Sequence, residues 1–415
     1  MKKILSIAIL TVTLILLNLP AKACTTAVIS GKYTKDGKPM LWKNRDTWSI
    51  NNILYYFDDG KYAYVGLVNS KDKKRSSIWI GVNAVGFGIM NSASYNLNLS
   101  NDGKLTGLEG RAMKDALASC RTLADFEAFL NAMPRPTGLE ANFGVIDAEG
   151  GAAYYEMNNE GFVKFDANDP KVAPFGYIIR TNYSHTGKLG KESSGYIRYN
   201  TANKLFYDKA STTGLTAQFI QQEVAKGLKH SLTNQDLYDL YGNLPPNHPQ
   251  YAHFRDYIPR TGSSSSVVVE GVKPGQNPNM AMLWANVGFP LASMMVPVWV
   301  NSEAKLPRIV RYDSQLKDAP ICHAALQLKH EKIVNIRWGK SDHYYLDVNA
   351  IANNKGTGIT QIIKRYENTI YDRTYQMIQN WDAEKGAHTK DIKKLYQWID
   401  TYVPEAYQKE FAIKL

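Results

Sequence analysis

An α+β fold, with helices layered on antiparallel sheets, is what this chain of 415 residues predicts, and three observations carry that expectation. β-rich sequence runs from residue 25 to about 90, helical patterns dominate 108–132 and 196–241, and strand patterns return at 267–300. Segregated runs of this kind belong to α+β domains. Turn chemistry is the second observation: Lys35-Asp36-Gly37, the turn at 83–86, and Glu149-Gly150-Gly151 separate short runs rich in Val, Ile and Tyr, as hairpins require. Third, 359–382 and 390–412 repeat apolar residues at helical spacing, with Ile363, Tyr366, Ile370 and Met377 on the first. Such helices pack on a body by one face.

Taken in order, residues 1–23 have the pattern of a cleavable export signal. Lys2 and Lys3 precede an apolar run over 4–19, Pro20 breaks it, and Ala21-Lys22-Ala23 offers small residues at a peptidase site. The run is shorter than the roughly 20 apolar residues of a spanning helix, and Thr11, Thr13 and Asn18 interrupt it. Cleavage would leave Cys24 first. A lipoprotein, tethered through that cysteine, is the rival expectation, but Ala21 and Lys22 stand where leucine and a small residue are usual.

Strands are expected at 25–30 and 40–43, joined by the 35–37 turn, so that Cys24 and Asp46 lie at adjacent ends of a hairpin. Further strands follow at 53–57, 62–68, 77–82 and 87–90, the last delivering Asn91 and Ser92 at its end. Helices at 108–119 and 122–132 come next, the second capped by Thr122 with Asp125. A hairpin turns at 147–151 and places Glu156 at its far end, as a solvated residue or a site residue. A strand at 177–180 leads into Thr181-Asn182-Tyr183. Ser193 and Ser194 resemble caps for a helix at 196–206 that carries Arg198 in its first turn. Helices at 216–229 and 234–241, a Pro-rich turn at 244–250, and strands at 267–272, 280–284 and 294–300 complete the expected domain of residues 24–340. Residues 341–415 form a helical extension packed on it.

Composition excludes several classes. The 49 Lys and Arg against 38 Asp and Glu give a net charge of +11, but the basic residues are scattered. Nucleic-acid binding would want a stripe or a binding motif. No phosphate-binding glycine loop, no HExxH and no cysteine or histidine set at metal spacing occurs, so neither cofactor nor metal is expected. Three cysteines are too few for a disulfide framework. Cys120 and Cys322 are either buried thiols or one bridge. His185 is expected to be a loop residue.

The chemistry points to Cys24. An amino-terminal cysteine joins a thiol, reference pKa about 8.5, to an amine of about 7.7–8.0, so the amine can take the thiol proton at little cost. One residue is then nucleophile and base, and uncapping switches it on. Nearby charge must stabilise the thiolate, and Lys43, Asn44 and Arg45 follow closely, with Asp46 to hold the ammonium.

Cys24-Thr25-Thr26-Ala27-Val28, the following Asp-Gly turn and Lys43-Asn44-Arg45-Asp46 together resemble the N-terminal-nucleophile hydrolases of the choloylglycine hydrolase, penicillin V acylase and acid-ceramidase-like group, which includes the penicillin acyltransferases. The resemblance continues through the G-x-N-x-x-G at 81–86, Asn91, Thr181-Asn182 and the serine-then-arginine pattern ending in Arg198, covering residues 24 to about 300. It implies an αββα sandwich of two antiparallel sheets between helix layers. It also implies attack by Cys24 on an amide, Asp46 at the ammonium or thiol, Asn182 with the Asn91 backbone at the oxyanion, and Arg198 tuning the thiol or positioning substrate. One departure stands out: the family's arginine three before the aspartate is Lys43 here, and Arg45 occupies a usually apolar place. Either can carry that role, although an ammonium lacks the planar fork of a guanidinium.

The expected activity is hydrolysis of linear amide C–N bonds in a small-molecule substrate, with export to the periplasm or medium and no stable membrane insertion. Acyl transfer, a cysteine dipeptidase, or an exported lipoprotein without chemistry are the alternatives, and a homo-oligomer is left open. The Cys24 sulfur is expected within hydrogen-bonding reach, or one water, of Asp46 and Asn182.

Overall fold

A computed structural model describes residues 23–98, 107–190, 194–301, 303, 305–337 and 344–415. Residues 1–22 of the signal expected at 1–23, and Ser193 of the expected cap, lie outside the described residues.

Two large antiparallel sheets form the centre. The first has six strands in the order β10-β1-β2-β11-β12-β13, and the second has seven in the order β3 to β9. In the first sheet, β1 is Cys24–Ile29, β2 Met40–Asp46, β10 Tyr177–Arg180, β11 Ser263–Glu270, β12 Met282–Val287 and β13 Met295–Trp299. In the second, β3 is Asn52–Phe57, β4 Tyr64–Asn69, β5 Ile80–Asn83, β6 Gly88–Ala93, β7 Ala141–Ile146, β8 Ala152–Met157 and β9 Phe162–Asp166. The second sheet is a meander in chain order, whereas the chain leaves the first sheet after β2 and again after β10, so β1 pairs with both its sequence neighbour β2 and the distant β10.

Alternation of side chains along each strand sorts residues between layers. Leu41 and Val28 face the second sheet, where Gly88 and Gly144 leave room for them. Trp42 faces the other way and stacks on Phe206. That residue belongs to α3, Tyr196–Ala210. Helices α1, Glu109–Ser119, and α2, Leu123–Ala132, cover the second sheet. On α2, Phe126 meets Phe87, Phe143 and Tyr155, and its start has the expected Thr122 and Asp125 capping box. The result is helix, sheet, sheet, helix.

Several expectations shift. β2 continues to Asp46, so Lys43 to Asp46 lie within a strand, and Asn91 lies inside β6. The helix expected at 216–229 is one α-turn, Ala217–Phe219, and one π-turn, Ile220–Val224. There the buried Gln221 donates to Ser266 and Trp284 carbonyls, a tertiary contact that periodicity does not report. β9 and helix α4, Pro320–Leu328, had no strong pattern. Cys120 and Cys322 are free, buried thiols. Glu156 is not solvated: it is buried, pairs with Arg180 at 2.7 Å and receives the His185 and Thr186 amides.

The long helices α5, Ile359–Gln379, and α6, Thr389–Phe411, form as expected. Tyr371 and Tyr375 of α5 stack on Trp284 of the first sheet. One turn away, Glu367 is fully buried against Lys226 at 2.8 Å and accepts from Asn286 and the Met295 amide. Glu367→Ala would leave a buried ammonium uncompensated and should cost about 3–5 kcal/mol in chemical denaturation, with Lys226→Met plus Glu367→Leu costing far less. A small loss in the single variant would mean that Lys226 already carries no charge.

Candidate active site

β1 begins at Cys24, and its backbone is held by side chains. The Cys24 amide donates to Asn182 Oδ1 at 2.8 Å, and its carbonyl accepts from Arg198 Nη1 at 2.6 Å. Arg198 also donates to Thr25 Oγ1 at 2.8 Å and to Asn182 Oδ1 at 3.1 Å, while Asn182 Nδ2 reaches the Ala93 carbonyl of β6 at 2.8 Å. Asn182 is placed by β10, which pairs with β1 until Arg180 faces Thr26. Arg198 is placed by the first turn of α3, where a cation opposes the helix dipole. Gly195 makes this possible: its φ is 93°, and a Cβ there would lie 2.5 Å from Arg198 Nη2. Burial lowers Arg198 to about 10, with Arg260 acting the same way and Asp46 and Cys24 opposing.

Lys43 and Arg45 share the intersheet face with Cys24, since β1 and β2 pair Cys24 with Arg45 and Thr26 with Lys43. The β5–β6 ladder stops at Ile80 and Met90, and the Lys43 ammonium sits where it ends. It donates to the Trp79 carbonyl at 3.0 Å and to Asn91 Oδ1 at 2.6 Å. Arg45 donates to Asn52 at 2.5 Å and Asn69 at 2.9 Å, and its guanidinium lies 4.5 Å from the centre of the Trp79 ring. Burial lowers Lys43 to about 8 and Arg45 to about 10, and the charge of Cys24 is the largest opposing influence on each. Both cations thus lie on the face of β2 that faces the second sheet, and Lys43, three before Asp46, is the one joined to Asn91.

Asp46 departs from expectation. With Asn44 and Trp42 it projects from the opposite face of β2, toward α3. Its carboxylate accepts from Arg260 Nε at 2.7 Å, Ser263 Oγ at 2.6 Å and Asn44 Nδ2 at 3.1 Å. Asp46 thus projects from the face of β2 opposite to Lys43 and Arg45, on the side where Arg198 reaches Thr25. The Asn182 contact goes to the Cys24 nitrogen instead of its sulfur.

Arg260, Ser263 and Tyr95 are additions that periodicity did not reveal. The signal that was present is Ser263-Ser264-Ser265-Ser266 at the head of a strand: all four are fully buried, and buried hydroxyls need polar partners. Ser264 donates to the Arg45 carbonyl, and Ser266 accepts from Trp42. The Tyr95 hydroxyl is raised chiefly by burial, then by the Cys24 charge, with Arg260 and Arg198 opposing. His185 is the loop residue expected, exposed and stacked on Tyr183 and Tyr199, and its imidazole is lowered first by desolvation and then by Arg180. Among the described residues no cluster of His, Cys, Asp and Glu could hold a metal ion.

No family model matches this chain, and no curated protein does. Among solved structures it is similar to a conjugated bile acid hydrolase from Clostridium perfringens, with 14% identity and a TM-score of 0.39, covering 67% of this chain and 93% of that one. A penicillin V acylase from Agrobacterium tumefaciens gives 13% and 0.36, covering 68% and 87%. The Caenorhabditis elegans ortholog of N-acylethanolamine-hydrolyzing acid amidase gives 14% and 0.35, covering 45% and 79%.

At pH 7 Lys43 is an ammonium, and it loses that charge as pH rises through about 8; a guanidinium would keep it. Iodoacetamide labelling of Cys24 at pH 7, followed by mass spectrometry, should slow about tenfold in Lys43→Met and hold in Lys43→Arg. Above pH 8 the Lys43→Arg rate should gain on wild type. Equal rates in all three proteins would show that the ammonium does not act on the thiol.

Proposed function

We propose that this chain is an amide hydrolase of the N-terminal-nucleophile type, working after residues 1–23 have been removed during export to the periplasm or medium. The observation that carries this is the engagement of the Cys24 main chain: its nitrogen is 2.8 Å from Asn182 Oδ1 and its carbonyl 2.6 Å from Arg198, both buried and 158 and 174 residues further along the chain. Nucleophilic side chains elsewhere are positioned by their own contacts. Here the terminal nitrogen itself has a prepared acceptor, which suits a nitrogen that must carry a proton.

In this reading the freed amine takes the thiol proton, and the thiolate, beside Lys43 and Arg45, attacks the amide carbonyl. The second N–H of Asn182 Nδ2, not used at Ala93, donates to the developing oxyanion. Collapse breaks the C–N bond, and the ammonium gives its proton to the leaving amine, leaving a thioester on Cys24. Water, deprotonated by the same amine, attacks the thioester; the acid leaves and the thiol is restored. Asp46 offsets the cationic charge from the helix side, through Arg198 and Arg260. Transfer of the acyl group to an amine acceptor differs only in the second nucleophile. The substrates named for the similar solved structures, a conjugated bile acid, penicillin V and N-acylethanolamines, are the first panel to try.

Incubation with such a panel should leave an acyl mass on the Cys24 peptide. Cys24→Ala should lose at least about 10³-fold in kcat, and Asn182→Ala about 10²–10³-fold. Turnover that survives Cys24→Ala would remove the nucleophile from the reaction.

A further inference from the structure

The first sheet closes one of its edges and leaves the other unmet. At β13 each outward position is dealt with: the Met295 amide donates to Glu367 Oε1 at 2.9 Å, Pro297 has no donor, and the Trp299 amide donates to the Tyr396 hydroxyl at 2.9 Å. β10 is the opposite edge. Its ladder with β1 continues into a bond from the Ser30 amide to the Gly176 carbonyl. Antiparallel pairs alternate, so Ile178 and Arg180 turn their main-chain groups to β1, while Tyr177 and Ile179 turn theirs outward. The Ile179 carbonyl accepts from Arg180 Nη1 at 2.9 Å. Among the described residues the Tyr177 and Ile179 amides have no acceptor, although these residues are only 7% and 2% exposed. Buried amides are seldom left without a partner.

A groove of about 710 Å³ lies along this edge and is lined by all four residues of β10. It follows β10 away from Cys24, toward Ile29 at the other end of β1. Phe165 of β9 and Tyr199 of α3 contribute to its walls. Phe175 and Tyr207, also in the lining, meet edge to face at 4.8 Å and are 43% and 46% exposed. Lys171, Arg180 and Lys204 bring positive charge, and no described carboxylate lines the groove. Glu156 meets Arg180 at 2.7 Å. That leaves the two lysines, both exposed, to set the sign of the groove.

We propose that this groove binds an extended acidic peptide of a partner protein, which adds to β10 as a further strand. The Tyr177 amide, the Tyr177 carbonyl and the Ile179 amide offer a donor, an acceptor and a donor in a row, which the main chain of a strand can match in full. Lys171 and Lys204 select carboxylate side chains on the incoming strand. The same lysines oppose pairing of two copies of this chain edge to edge, because each copy would bring both. The site is separate from Cys24 and does not depend on the amidase reading.

The test pans a displayed library of random octapeptides on the purified protein, then measures the enriched peptides by fluorescence anisotropy. Acidic sequences should be enriched and bind in the micromolar range. Lys171→Glu with Lys204→Glu, both on the surface, should weaken them at least about tenfold, while iodoacetamide labelling of Cys24 stays as in wild type and reports an intact fold. Strand addition uses every second amide of the peptide. Methylating its amide nitrogens one at a time should therefore weaken binding at alternate positions and spare those between, a pattern that capture by side chains alone would not give. Failure to enrich acidic peptides, equal binding to the double variant, or methylation effects that do not alternate would each overturn the proposal. So would a wild-type dimer in sedimentation that the peptides dissociate, which would give this edge to a second copy of the chain.

Discussion

The capture of one residue's backbone from two sides is what the rest of this structure is built to achieve. Cys24 has Asn182 on its nitrogen and Arg198 on its carbonyl, and neither could be there without long-range architecture. Asn182 arrives because β10 crosses back to pair with β1. Arg198 arrives because α3 begins on a left-handed glycine that leaves space for its guanidinium. Meanwhile the pairing of β1 with β2 sets Lys43 and Arg45 beside the side chain of Cys24 and turns Asp46 to the other face. One strand end thus has two buried cations on one face and a backbone clamp on the other.

Burying so much positive charge is costly, and the surroundings show how it is tolerated. Lys43 and Arg45 are met by carbonyls and asparagine oxygens, neutral acceptors that solvate a cation without neutralising it. Their field therefore remains available to a thiolate. Asp46 is the exception, and it is shared with Arg260, Ser263 and Asn44. Burial, with the Arg45 charge adding to it, pulls Lys43 down to about 8, close enough to neutrality for its charge to vary with ordinary changes of pH. An arginine in its place would not respond.

Much of this was legible in the residues. Local signals, Asp-Gly turns, the Thr122 cap and period-2 runs, located most strands and the first helices, because each depends on chemistry within a few residues. Cys24, Lys43, Arg45, Asn91, Asn182 and Arg198 do converge in space. What the residues could not show is direction. Asp46 extends a strand whose length was underestimated, and one further alternation carries its carboxylate to the far face. Arg260 sits in a loop without periodicity, so its place depends entirely on how β11 meets β2. Glu156 and the helix expected at 216–229 differ for a similar reason: a polar residue buried by a distant partner, Arg180 for Glu156 and the Ser266 and Trp284 carbonyls for Gln221, has the same local pattern as one in water.

All of the chemistry depends on the nitrogen of Cys24 being an amine. In the unprocessed chain it is a peptide amide that can donate to Asn182 but cannot accept a proton. The direct measurement is the intact mass and amino-terminal sequence of the protein recovered from the periplasm or medium of expressing cells. The account predicts a chain that starts at Cys24 with an unmodified amine. A chain that starts at any other residue, or a Cys24 carrying lipid or another blocking group, would contradict it.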